Sequence, residues 1–232
     1  MDGTPVGRRV FLGVVGLGAL GIVFGRQTQD FLGRALRPVT SFDPTGLSGL
    51  LPVGGFRYYT VTGGFPSKSK ADYRLRVKGL VERPFTLTYD ELVALPPTRL
   101  KRDFQCVTGW RVDGVHWQGV LLRDLLDRAV VKPEGTALKF TSFDGTYTES
   151  LTLDQARRSD VIVAYKLDGD DISSRHGGPV RLYVAPMYGY KSCKWLDGIE
   201  VTAKVDQGYW EDYGYDIDGW VGKSNGRDDN PT

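Results

Sequence analysis

The sequence predicts an α+β domain in which β-structure dominates. Three observations carry that reading. From Phe56 onward, eight short stretches are rich in β-branched and aromatic residues, and most are bounded by Gly, Pro or Asp-Gly signals. Few segments show helical spacing, and strands and helices do not alternate as a doubly wound sheet requires. The expected strands, in order, are RYYTVT (57–62), YRLRVKG (73–79), FTLTY (85–89), LKRDFQC (100–106), ALKFTSF (137–143), VIVAYKL (161–167), VRLYVA (180–185) and IEVTAKV (199–205). Between them, Thr88 to Glu91 forms a capping box that opens DELVAL, and Thr152 to Gln155 forms another. LLRDLLDRA places Leu121, Leu122, Leu125, Leu126 and Ala129 at helical spacing, so one longer amphipathic helix is expected there.

The chain has 232 residues, enough for one domain of ordinary size after about 55 residues that read as leader and connector. Its 30 basic and 28 acidic residues leave a net charge of +2, so no nucleic-acid footprint is required. The N-terminal run RRVFLGVVGLGALG contains Gly16, Gly18 and Gly21 in a G-x-G-x-x-G pattern. A dinucleotide loop would need an acidic residue about 20 positions on, where Leu36 and Arg37 stand instead. Arg8 and Arg9 precede a 16-residue uncharged core, Val10 to Gly25, which is short for a membrane span and reads as a twin-arginine export signal. Residues 1–30 are therefore expected to be that signal or an uncleaved membrane anchor, 31–55 a connector, and 56–232 the functional domain. Export predicts a periplasmic or extracytoplasmic location, and the twin-arginine route suits a protein that folds around a cofactor first.

Two cysteines and two histidines exclude a four-cysteine zinc site, and the spacing of Cys106 and Cys193 excludes C-x-x-C-H haem attachment. Cys106 ends a strand and is followed by the turn signal Thr108-Gly109, which suits a ligating thiol. A Cys106–Cys193 disulfide, a plain buried thiol, or a mixed site with His116 and His176 remain alternatives. In HGGPVRLYVAPMYGYKSCKWL, Arg181 and Tyr183 share one strand face, while Val180, Leu182 and Val184 share the other. Ser192 and Lys194 point opposite to Cys193. His176, Arg181, Ser192 and Lys194 together have the chemistry of a phosphate or pyrophosphate grip, with a solvated charged edge as the plainer alternative.

Four motifs, DFQCVTGW, SFDGTYTESL, HGGPVRLYVAPMYGYKSCKWL and GYWEDYGYDIDGW, appear in this order and spacing. Together they resemble the oxidoreductase molybdopterin-binding domain of the sulfite oxidase family, over nearly all of Phe56 to Trp220. The resemblance implies a mainly β mixed domain holding a mononuclear molybdenum on one molybdopterin, with Cys106 as both metal ligand and catalytic residue. It also implies cofactor contacts from Tyr59, Thr60, Thr141, His176, Arg181, Ser192 and Lys194. Cys-Val-x-x-Trp looks like the bacterial exported branch, which includes the catalytic subunit of periplasmic protein-methionine-sulfoxide reductase, whereas His176 is the sulfite-oxidase choice. Only Arg111 follows the cysteine where sulfite oxidases have two arginines.

The implied activity is two-electron oxygen-atom transfer on a small or protein-bound sulfoxide or similar S/N-oxo substrate. Sulfite oxidation is the alternative enzyme, and a degenerate non-catalytic module the alternative of another class. Arg111 and Lys191 are candidates to anchor an anionic or polar substrate, and Trp110, Tyr188 and Tyr190 are candidates for the pocket wall, with core packing the stronger reading for each ring. With no haem or iron–sulfur pattern in the chain, a separate membrane haem protein or cytochrome is expected to carry electrons.

Overall fold

The computed structural model describes residues 55–229, so the export signal and most of the connector lie outside the described residues. The chain divides into two compact units, residues 1–57 and 58–232. Of the first, only residues 55–57 are described, in irregular backbone.

Among the described residues, the second unit contains ten strands and three short α-helices. The strands are β1 (Arg74–Gly79), β2 (Phe85–Thr88), β3 (Thr98–Gln105), β4 (Arg111–Leu121), β5 (Ala137–Ser142), β6 (Thr148–Thr152), β7 (Val161–Leu167), β8 (Asp170–Asp171), β9 (Arg181–Val184) and β10 (Leu196–Thr202). The helices are α1 (Tyr89–Val93), α2 (Leu122–Ala129) and α3 (Leu153–Ala156). This is the α+β, mainly β architecture that the strand pattern predicts. RYYTVT is the exception: residues 57–62 form no strand.

One sheet has the order β2-β1-β10-β5-β6, with β1 and β10 parallel and the other pairs antiparallel. The second runs β3-β4-β7-β8, and β9 takes the stretch of β7 that β8 leaves free. Alternation decides the faces. On β1, Leu75 and Val77 are buried while Arg74, Arg76 and Lys78 are exposed. One continuous apolar core takes Leu75, Phe140 and Ile199 from the first sheet and Val163, Leu182 and Val184 from the second. Helix α2 adds Leu122, Leu125, Leu126 and Ala129, while Leu121 instead ends β4 and is only partly buried. Both capping boxes form: Thr88 Oγ1 accepts from the Glu91 amide and Thr152 Oγ1 from that of Gln155, with each acidic or amide side chain returning to the cap amide.

Candidate active site

Cys106 sits where β3 turns into β4. Its amide donates to Trp110 O at 2.9 Å, and the Gly109 amide returns to Cys106 O at 3.0 Å, which closes the turn signalled by Thr108-Gly109. The thiol is partly exposed, and Thr108 Oγ1 donates to Sγ at 3.2 Å. Cys193 is fully buried in the main core, and both cysteines are free, so the disulfide alternative is not realised. His116 lies beside Asp168 on an exposed edge, 3.6 Å from its carboxylate. Among the described residues, no three His, Cys, Asp or Glu side chains gather as a metal-ligand set.

The second part of the site is built from the 3-10 turn Ser174–His176, strand β9 and the stretch Ser192–Trp195. The strand-face argument holds in part: Val180, Leu182 and Val184 enter the core, and Arg181 lies opposite them with Tyr183. That opposite face is also buried. Trp117 stacks on Tyr183 at 4.1 Å, and the Arg181 guanidinium lies 5.4 Å from the Phe104 ring and 5.5 Å from Trp117. Arg181 donates to the carbonyls of His176 (2.7 Å), Ser192 (2.9 Å) and Leu182 (3.3 Å), so it ties both neighbouring segments to the strand.

Lys194 crosses the His176 loop at a point where only glycine fits. A Cβ on Gly177 would come within 2.5 Å of the Lys194 side chain, and Gly177 itself has φ +92°. Lys194 Nζ donates to Tyr59 O and lies 4.3 Å from the centre of the Trp195 ring. Trp195 is in the left-handed region at φ +52° and is held there by two bonds, N to Gly177 O and Nε1 to Ser174 O, both 2.9 Å. Such backbone costs about 1–3 kcal/mol and persists where the surroundings over-determine it; here it fixes the direction in which Lys194 leaves the chain. Tyr58 Oη lies 3.2 Å from His176 Nε2.

Burial dominates the electrostatics of this cluster. It pulls His176 down to about 4 and Lys194 down to about 7, with Arg181 as the next cause in both, and it lowers Arg181 to about 10. Among the described residues, neither Arg181 nor Lys194 forms an ion pair with a carboxylate. Two neighbouring cations with depressed pKa values, whose direct contacts are carbonyls and rings, fit an anionic ligand such as a phosphate. The cluster connects to the thiol loop through aromatic rings: Tyr59 stacks on Trp110 at 6.4 Å, and Phe104 contacts both Trp110 (5.8 Å) and Arg181. A partly exposed soft sulfur ligand, linked through rings to two cations without carboxylate partners, fits a metal held on an anionic cofactor.

Tyr59, His176, Arg181 and Lys194 are thus brought together, with Cys106 reached through Trp110. The predicted hydroxyls are arranged differently. Ser192 Oγ accepts the Val184 amide at 3.0 Å, Thr141 Oγ1 lies 3.2 Å from Asp197 Oδ1, and Thr60 Oγ1 pairs with Thr62 Oγ1 at 3.2 Å. The substrate anchors fare worse. Lys191 has no exposed surface and is bound by Glu149 and by Glu211 at 2.8 Å, so it faces no substrate. Arg111 is neutralised by Asp113 (2.7 Å) and Asp103 (3.5 Å). Tyr188 and Tyr190 pack with Val107 and Val221 in a small second core, which is the core-packing reading of these rings. Next to it is an open cleft of about 430 Å³ lined by Val107, Tyr213, Tyr215, Asp216, Asn225 and Arg227. Sequence reading missed Tyr58, Trp195 and Arg227. Trp195 directly follows a predicted contact, which is a usable signal, but nothing local marks Arg227.

The family model described as oxidoreductase molybdopterin binding domain matches residues 62–210. The uncharacterized oxidoreductase YuiH of Bacillus subtilis is 37% identical over 148 residues, covering 63% of this chain and 74% of that one. The protein-methionine-sulfoxide reductase catalytic subunit MsrP of Campylobacter jejuni is 28% identical over 158 residues, 61% of this chain and 53% of the relative. The solved sulfane dehydrogenase SoxCD of Paracoccus pantotrophus superposes with a TM-score of 0.57 at 26% identity, over 65% of this chain and 45% of that one. The match covers most of the chain and includes both the Cys106 turn and the Arg181–Lys194 cradle, so this protein belongs to the oxidoreductase molybdopterin-binding domain family.

Proposed function

We propose that the chain is the molybdenum-carrying catalytic component of an exported oxidoreductase that removes oxygen from a sulfoxide or a similar small S/N-oxo compound. The observation that carries this reading is the pair Arg181 and Lys194, cations without carboxylate partners, joined by Tyr59, Trp110 and Phe104 to the loop of a partly exposed thiol. When bound, the cofactor supplies two-electron oxygen-atom transfer. Cys106 would be its protein sulfur ligand, and the Thr108 hydroxyl donates to Sγ and orients it. Lys194, Arg181 and His176 would hold its phosphate, with Tyr59 beside them. For Thr60, Thr141 and Ser192, the motif alone supports a cofactor contact.

The charge pattern favours a neutral substrate over sulfite. Arg111 is already neutralised, Lys191 is sealed in the interior, and the cleft beside Val107 presents Arg227 together with Asp216. A charge-balanced cleft suits a dipolar S=O group, whereas a dianion would need an excess of cations. MsrP is named for such a substrate. The net reaction is R₂S=O + 2H⁺ + 2e⁻ → R₂S + H₂O, and a separate haem protein or cytochrome supplies the electrons. The paired Arg8 and Arg9 before an uncharged core support export by the twin-arginine route and an extracytoplasmic location, with membrane attachment through residues 1–30 if they are retained.

The test is metal and pterin analysis of purified protein, followed by dye-driven turnover with a sulfoxide and with sulfite as competing substrates. We expect one molybdenum and one pterin per chain and sulfoxide turnover. Cys106→Ser should keep the fold and much of the pterin but lose oxygen transfer, because a hydroxyl is a poor replacement for a thiolate. Protein free of molybdenum, or an active Cys106→Ser variant, refutes the assignment; sulfite turnover without sulfoxide turnover reverses the substrate.

A further inference from the structure

The C-terminal stretch combines features that the cofactor site does not use. Tyr213 is 68% exposed and Ile217 44% exposed, while the other exposed aromatics among the described residues, Tyr58, Tyr59 and Phe65, lie around His176 and Lys194. Exposed aromatic and aliphatic side chains with a polar rim mark contact surfaces. The rim here is acidic. Residues 206–229 carry seven carboxylates and two cations, although the whole chain has a net charge of +2. One of the seven, Glu211, is turned inward to Lys191; Asp212, Asp216 and Asp218 remain exposed around Tyr213 and Ile217.

The patch is packed on rings that lead inward. Tyr213 packs on Trp210 at 6.0 Å, Trp210 on Tyr215 at 5.4 Å, and Tyr215 edge-on against Tyr190 at 5.3 Å. Tyr190 in turn shares the small core with Val107, the residue after Cys106. Tyr190 Oη donates to Asp216 O at 2.6 Å and accepts from Asn225 Nδ2 at 3.0 Å, which fixes the ring to the loops that carry the patch. A continuous packed aromatic layer therefore runs from the thiol loop to the exposed surface.

We propose that this acidic, aromatic surface is the docking site of the one-electron carrier, and that the carrier is a haem protein with a basic surface around its exposed haem edge. The inference rests on the oxidoreductase reading above and adds where the partner binds and with what charge. Each encounter passes one electron, so two reduced carriers supply the two electrons that, with two protons, convert R₂S=O to R₂S and water. Complementary charge accelerates and orients the encounter and makes it salt-dependent, while Tyr213 and Ile217 give the apolar contact. Because Tyr213 also lines the cleft beside Val107, a docked carrier covers the cleft mouth, and substrate and carrier approach in turn.

The experiment measures binding of the molybdenum-loaded protein to oxidised mitochondrial cytochrome c, a basic haem protein, with an acidic cytochrome as the control. Dye-driven sulfoxide turnover is measured in parallel. Among the described residues the Asp212 side chain makes no hydrogen bond or ion pair, and Ile217 is exposed, so Asp212→Lys with Ile217→Ser alters the patch but no proposed cofactor contact. We expect the basic cytochrome to bind, affinity to fall steeply with salt, the double variant to bind at least tenfold more weakly, and dye-driven turnover to be unchanged. Equal binding of both cytochromes, or of wild type and variant, overturns the docking site. Loss of dye-driven turnover in the double variant also overturns it, because the patch would then serve the reaction itself. Absence of dye-driven turnover in the wild type counts against the catalytic reading, and the binding measurement still decides the surface.

Discussion

Replacing Lys194 by Met separates a cation that serves a ligand from one that serves the fold. The Lys194 stem passes Gly177 and lies against Trp195, and Met keeps that unbranched packing while removing the charge. In the protein without cofactor, burial and the nearby Arg181 hold Lys194 at about 7. An unfolded lysine titrates near 10.4, so between these values the unfolded chain binds more protons and stability rises with pH. Below pH 7 the folded state carries the full cost of the buried cation. Met removes that cost and loses one hydrogen bond to Tyr59 O, so the apo-variant should melt within a few degrees of the parent at pH 6. Cofactor binding should behave oppositely. A desolvated cation–anion pair is typically worth about 2–5 kcal/mol, which at about 1.4 kcal/mol per decade weakens retention roughly 30- to several-thousand-fold. For the parent, anion affinity should be flat below pH 7 and fall as Lys194 loses its proton above it. Pterin fluorescence and metal content of purified protein, calorimetric melting, and titration of apo-protein with pyrophosphate at pH 6 and pH 8 provide the assays. Full pterin content in the Met variant, or an apo-variant that fails to fold, would refute the cradle assignment.

Cys193→Ser places a hydroxyl in the main apolar core, where Cys193 has no exposed surface; we expect a loss of about 1–3 kcal/mol and a Tm lower by roughly 2–12 °C, with pterin content retained. Glu149 is held well above the usual carboxylate range, chiefly by burial, so the folded state keeps a proton that the unfolded chain releases above about pH 4.3 and stability declines as pH rises from there. Glu149→Gln should flatten that decline and leave Tm at pH 8 equal to or above the parent's; a steeper decline would show that Lys191 requires both charges. Arg8→Lys with Arg9→Lys should leave folded, molybdenum-loaded protein in the cytoplasm, whereas Gly18→Ala should not alter cofactor content; cell fractionation with metal analysis checks both, and normal export of the double-Lys protein would contradict the export reading.

Much of the fold was legible because local chemistry and global packing agree. Both capping boxes form at the predicted residues, and β7 spans the predicted VIVAYKL. The longest strand, β4, was not expected, because Gly114 and Gly119 interrupt a run that otherwise alternates. Gly119 marks a close approach instead of a turn: a Cβ there would lie 2.2 Å from Val163 O on β7, at a register shift between the two strands. RYYTVT went the other way. Its residues have high β-propensity, yet they run as irregular backbone, with Tyr58 and Tyr59 turned toward His176, Trp110 and Lys194. Propensity cannot distinguish pairing in a sheet from packing against a site.

The site shows the same limit at the level of charge. Lys191 and Lys194 are three residues apart in one motif, and residue type alone would give both the same role. Their partners decide otherwise. Glu149 and Glu211, 42 and 20 residues away, close around Lys191 and turn it into an interior ion cluster. Lys194 emerges beside the left-handed Trp195 into carbonyls and aromatic rings, with Arg181 close enough to depress its pKa. A buried cation with carboxylate partners resists loss of either partner, whereas a half-buried cation without one remains available to a ligand. That allocation is a property of strands β6 and β9 and of the loop after β10, not of the motif. The distinction therefore falls on what each lysine lacks: Lys191 lacks exposure, and Lys194 lacks an anion. An anionic ligand at Lys194 would meet the deficit that the fold leaves there.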